Sequence, residues 1–211
     1  MLSSGAPRWR RRKDDRPGEI IAAALAIFAE KGFAAARLDD IAARAGVSKG
    51  ALYLYFETKQ DLFRAVVEEA VAPNLEAVRA AAESFEGEFA ALIRFLMPNL
   101  VRIVGETSIG SVAKMVIAES RNFPELARVW YDDLVSKALA MFCGLIGRAQ
   151  ERGEVRPGDP RVYALGLISP FLMAVIWRET FVPIGAPPFD LTALARQHVE
   201  TVLEGMLEPR P

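Results

Sequence analysis

An all-helical protein with a small N-terminal head and a larger C-terminal body is what this sequence predicts, and three observations predict it. Apolar residues recur at helical spacing almost throughout, with no sustained alternation of strand type. Two very short helical segments, Leu38–Ala45 and Lys49–Phe56, flank a Gly46-Val47-Ser48 turn. From Glu88 onward the helical segments lengthen, at about 88–104, 109–121, 124–151, 159–182 and 189–207.

The elements follow in order. Met1–Asp15 is rich in Ser, Gly, Pro and Arg and reads as a mobile basic arm. Its cations Arg8, Arg10, Arg11, Arg12 and Lys13 suit a solvated tail and a DNA contact equally well. In Glu19–Lys31, Ile21, Ala24, Leu25 and Phe28 form one stripe, and Gly32 stops that helix. Thr58 is the N-cap of the next helix, with Asp61 in its first turn and Leu62, Val66 and Val67 on its apolar face. A break near Glu83–Gly87 closes the N-terminal part. In the body, Pro124 fits a first helical position, Asp159 caps a helix with Pro160 next, and Asp190 caps the last one. The domains expected are a head over 16–65 and a regulatory body over 66–211.

Composition narrows the class. Of 211 residues, 52% are hydrophobic and 25% charged, which describes a folded chain with a sizeable core. The net charge of −1 conceals an asymmetry: residues 1–60 carry 11 Lys and Arg against 7 Asp and Glu. A basic start on an acidic body directs only the N-terminal part toward a polyanion. The single cysteine, Cys143, precludes an internal disulfide, suits a reducing cytoplasm and reads as a small core hydrophobe. The longest uncharged run, Val162–Trp177, is shorter than the ~20 residues a membrane span requires, so no membrane is expected. The one histidine, His198, has no second ligand nearby, so no metal is expected. Glu68-Glu69 and Asp132-Asp133 are neighbours that diverge by about 100° on a helix, which makes them solvated pairs and not a catalytic couple. No nucleophile–base pair, phosphate loop or cofactor motif is visible, so neither catalysis nor a cofactor is expected.

Residues 38–56 carry the functional signal. Ile41, Ala42 and Ala45 give the first short helix its inner face, Gly46 permits the turn, Val47 plugs the angle, and Ser48 caps the second helix. At 100° per residue, Leu52 and Phe56 point inward and Gly50 and Leu54 outward, flanked by Lys49, Ala51, Tyr53 and Tyr55. Small residues on an outward face let a backbone approach a major groove, and a leucine packs on thymine methyl groups. Tyr53 and Tyr55 are placed for phosphates on either side, and Lys59 adds a positive charge at the same edge.

The run from Ala43 to Leu62, which reads ARAGVSKGALYLYFETKQDL, resembles the DNA-binding domain of TetR-family repressors, and Ile20–Phe33 resembles that family's first helix. The similarity covers about residues 16–65 and weakens beyond them to a shared helical plan, with Phe123-Pro124-Glu125-Leu126 as a recurrent helix start. It implies DNA contacts from Ser48, Lys49, Gly50, Ala51, Tyr53, Leu54, Tyr55 and Lys59. Arg37 departs from the pattern, standing where Thr or Ser usually caps a helix; it cannot cap, but it can contact a phosphate. Leu54 replaces a more polar or aromatic residue, so base hydrogen bonding is lost there. The resemblance implies a repressor bound as a homodimer to a palindromic double-stranded operator.

For the body, Pro98 and Pro170 interrupt long apolar helices. They are expected either to bend those helices around the core or to hold open an apolar pocket between 88–104, 109–121, 124–151 and 159–182. The residues expected to line it are Asn99, Met115, Glu119, Trp177 and Arg178, for a small hydrophobic effector. Glu119 and Arg178 pairing with each other, and a body that only dimerises, fit the same sequence. The uncharged run Val162–Trp177 and helix 189–207 are expected to pair with their copies in a second chain.

Overall fold

The computed structural model describes residues 16–209, so the basic arm Met1–Asp15 lies outside the described residues. Its helices are α1 (Arg16–Ala35), α2 (Leu38–Arg44), α3 (Lys49–Tyr53), α4 (Lys59–Val66), α5 (Ala72–Glu83), α6 (Phe89–Glu106), α7 (Ile109–Glu119), α8 (Pro124–Trp130), α9 (Ser136–Glu151), α10 (Pro160–Ile176) and α11 (Leu191–Met206). Two compact units divide between Ala70 and Val71, at the end of a π turn, Val67–Val71, that joins α4 to α5.

The head is organised around three aromatic rings. Gly32 takes φ +75°, which breaks the helical path and brings Phe33 back onto Phe28 and Phe63. Ring centroids lie 5.4, 6.1 and 6.0 Å apart, a spacing suited to tilted and edge-on aromatic packing. Ile20, Ile41, Leu52 and Leu62 close the core with no exposure. The stripe of α1 is broader than its periodicity indicates: Ile20, Ala23 and Ile27 are buried, whereas Leu25 is half-buried. Thr58 and Asp61 form a reciprocal capping box at the start of α4.

In the body, α5, α6, α9, α10 and α11 share one core that includes Ile93, Leu96, Ile146, Ala164, Leu167 and Leu203. The expected helix 124–151 is α8 and α9 joined by a π turn at Tyr131–Val135. The expected helix 159–182 is α10 continued by a π turn at Trp177–Phe181 and a 3-10 turn to Ile184. Asp159 and Asp190 cap α10 and α11 as their positions indicate. One element lacks any local signal. Val155 and Leu207 form an isolated antiparallel bridge that ties the end of α11 to the α9–α10 loop. Glu154 in that loop accepts the Phe89 N–H, which supplies the cap that Glu88 does not make for α6.

Beside Pro170 a side chain from α11 stands at the place of a missing helical donor. Pro170 cannot donate to the carbonyl four residues earlier, that of Gly166. His198 on α11 places Nε2 2.8 Å from that same oxygen. A carbonyl only accepts, so Nε2 carries the proton and satisfies the group that proline leaves open. Met97, Ile103, Phe142, Leu167 and Phe171 are buried in the core that α6, α9 and α10 share with α5 and α11.

Candidate nucleic-acid interface

The turn between α2 and α3 is built by backbone geometry. Gly46 sits at φ +68°, and Val47 N–H reaches back to Ala42 O at 3.0 Å, which turns the chain sharply between the two helices. Ser48 Oγ accepts the Ala51 N–H at 3.2 Å and so starts α3.

The helical wheel holds, although α3 is shorter than its pattern. Regular helix ends at Tyr53, and Leu54 and Tyr55 complete a final turn whose Tyr55 and Phe56 N–H groups both reach Leu52 O. Leu52 is fully buried and Phe56 nearly so, while Leu54 is 83% exposed and Tyr53 and Tyr55 about two-fifths exposed. Lys49 and Gly50 are exposed and Ala51 half-buried. One exposed surface therefore carries Ser48, Lys49, Gly50, Tyr53, Leu54 and Tyr55. A cleft of about 340 Å³ lies beside it, between Arg16 and Glu19 of α1 and the backbone of Ala45–Ser48.

Charges around this surface are tied internally. Lys49 Nζ lies 2.7 Å from Asp39 Oδ1, Lys31 2.7 Å from Asp40, and Arg44 2.7 Å from Glu30. Asp39 holds the Lys49 ammonium above its ordinary pKa through this hydrogen bond. Lys59 is turned inward. Its ammonium donates to the carbonyls of Phe33, Ala34 (3.2 Å) and Ala36 (3.0 Å) and sits 4.4 Å from the Phe33 ring centroid. In this geometry Lys59 closes the C-terminal end of α1 and does not present its charge at the outer edge. Arg37 is exposed at the N-cap position of α2 and makes no capping bond. Asp39 and the carbonyl partners of Lys59 have no signal in the sequence, because they lie 10 and 23–26 positions from their lysines.

The five body residues expected to line a pocket lie on α6, on α7 and on the π turn that follows α10. Met115 is buried, and Asn99 and Glu119 are half-buried. Trp177 donates from Nε1 to Pro187 O at 2.8 Å and packs between Phe181 and Phe189. Arg178 pairs with its neighbour Glu179 at 3.0 Å, and not with Glu119, and donates to Val104 O at 2.8 Å. It is thereby committed to the free carbonyls at the end of α6. A cleft of about 400 Å³ in the body lies between α5 and α9, lined among others by Leu75, Arg79, Ala82, Lys137, Met141 and Leu145.

Two short helices set by a left-handed glycine, with the small-residue face of the second one bare, define a helix-turn-helix DNA-binding protein. Residues 20–66 match the family model described as bacterial regulatory proteins of the tetR family. Residues 90–206 match that of the AefR-like transcriptional repressor C-terminal domain. The chain belongs to the TetR family of transcriptional regulators. It is 28% identical over 209 residues to the transcriptional repressor BepR of Brucella suis, covering 90% of this chain and 91% of that one. Over 69 residues, 33% of this chain and 32% of the relative, it is 42% identical to the transcriptional activator FasR of Mycolicibacterium smegmatis. The fold is shared with the SmeT–triclosan complex (TM-score 0.74, 21% identity, 93% of this chain and 98% of that one). It is shared also with Bacillus subtilis FadR in complex with stearoyl-CoA (TM-score 0.73, 20% identity, 89% and 98%).

Proposed function

We propose that this regulator is a cytoplasmic repressor, bound to a palindromic operator as a homodimer and released by a small apolar effector. The observation that carries the DNA-binding part is the division of α3: Leu52 and Phe56 buried, Leu54, Tyr53 and Tyr55 exposed. Under this reading Ser48, Lys49, Gly50, Ala51, Tyr53, Leu54 and Tyr55 meet the major groove and its phosphates, and Arg37 meets a flanking phosphate. Lys59 supports them from behind.

The dimer reading rests on α10. The helical stretch Pro160–Ile184 is long and apolar enough to cross a membrane, yet only 28% of its most apolar window is buried within the protomer. Val162, Leu165, Leu172 and Met173 stand exposed at helical spacing. A second copy of α10 and α11 covers that stripe with a two-fold interface of about 1,500 Å² or more.

Repression and release follow the match to a repressor C-terminal domain and the triclosan and stearoyl-CoA held by proteins of this fold. An effector held by Asn99, Met115, Glu119, Trp177 and Arg178 would select a conformation in which these residues face one opening. The test is a melting screen with long-chain acyl and aromatic compounds, read beside release of DNA. Compounds that raise the melting temperature should also release DNA; stabilisation that never alters DNA affinity contradicts the effector reading.

A further inference from the structure

Residues 16–70 hold seven Lys and Arg against eight Asp and Glu, so the folded head has little positive charge to spare for a polyanion. Lys49 is the first residue of the recognition helix, and the N-terminal residues of such a helix enter the groove. Yet its ammonium is held by both oxygens of one carboxylate, at 2.7 and 3.0 Å from Asp39. Both side chains are more than half exposed, at 58% and 59%, so the pair lies on the surface where a phosphate would compete for the same ammonium.

We infer that Asp39 acts as a brake on phosphate binding: its carboxylate occupies Lys49 and keeps that ammonium from neutralising a DNA phosphate. This inference rests on the DNA-binding reading above. Two physical consequences follow. A lysine held by a carboxylate adds no net positive charge to the interface and so releases few of the cations condensed on the DNA, and the carboxylate beside it repels the phosphate. Freeing Lys49 therefore adds about one phosphate contact to the interface, and each such contact steepens the slope of log K against log salt by ~0.9. The neighbouring Asp40 is the internal control. Its partner is Lys31 on α1, not a residue of the recognition helix.

The experiment measures binding of a random-sequence DNA duplex by the full chain and by D39N, K49Q, D39N/K49Q and D40N, across ~50 to 200 mM salt. D39N should bind more tightly and steepen the slope by ~0.9, which is about 3.5-fold more affinity lost over that salt range. The double variant should lose this gain, because Asp39 acts through Lys49. D40N should move the slope less than D39N. Melting temperatures confirm that these surface variants remain folded. An equal gain from D39N with and without Lys49, or from D40N and D39N alike, would reduce the effect to general charge and overturn the proposal alone. An unchanged slope in D39N overturns it too. Failure of the unaltered chain to bind duplex in a salt-dependent way overturns the DNA-binding reading and the proposal together.

Discussion

Leu52 and Tyr53 are neighbours in sequence with opposite duties. Leu52 is fully buried among the head helices and Tyr53 is 43% exposed on the recognition surface. Leu52→Ala should cost about 2–5 kcal/mol, the range for emptying a packed leucine site. Tyr53→Ala should leave the melting temperature nearly unchanged and weaken DNA binding. Equal losses of melting temperature in the two variants would show that the faces are reversed. Lys59 separates the two kinds of role on one residue. Lys59→Met removes a donor to three carbonyls at the end of α1, so the head should melt lower. The salt slope of DNA binding should stay put; a slope shallower by ~0.9 would restore Lys59 to the list of phosphate ligands. The caps Ser48, Thr58, Asp159 and Asp190 were legible in the sequence because each bonds within three residues of itself. Lys59, Asp39 and Arg178 were not, because their partners lie 10 to 74 positions away and depend on how helices pack.

At the scale of elements, helical periodicity located the segments well and their interruptions less well. The π turns at Tyr131–Val135 and Trp177–Phe181 leave the apolar period nearly intact, so 124–151 and 159–182 each read as a single helix. The prolines were legible, but their consequence was not, since the sequence does not show which residue faces the carbonyl that proline frees. That residue is His198, whose Nε2 contacts Gly166 O from α11. His198→Ala should cost ~0.5–1.5 kcal/mol, the net worth of one hydrogen bond. Pro170→Ala restores the N–H that α10 lacks, and on that background the same histidine substitution should cost less. Denaturant midpoints of the four proteins measure the coupling. Additive effects would mean that His198 serves α11 packing and does not replace the missing helical bond.

For the whole molecule, the division into a DNA-contacting head and a helical body was legible, since a glycine turn between short helices and a change in helix length are both local signals. The partner of Arg178 was not. Arg178 looked like a polar group stranded in an apolar run, yet it serves the end of α6, a partner that only the tertiary fold supplies. The exposed apolar stripe Val162, Leu165, Leu172 and Met173 asks for a second copy. A two-fold dimer with one recognition helix per protomer in turn asks for a two-fold operator. The most direct measurement is selection of bound duplexes from a random library, followed by footprinting and stoichiometry of the enriched sequence. The expected result is a palindrome whose half-sites lie ~34–36 Å apart, or a multiple of that, with protomers bound in pairs. An asymmetric single half-site occupied by one protomer, or no enriched sequence at all, contradicts this account.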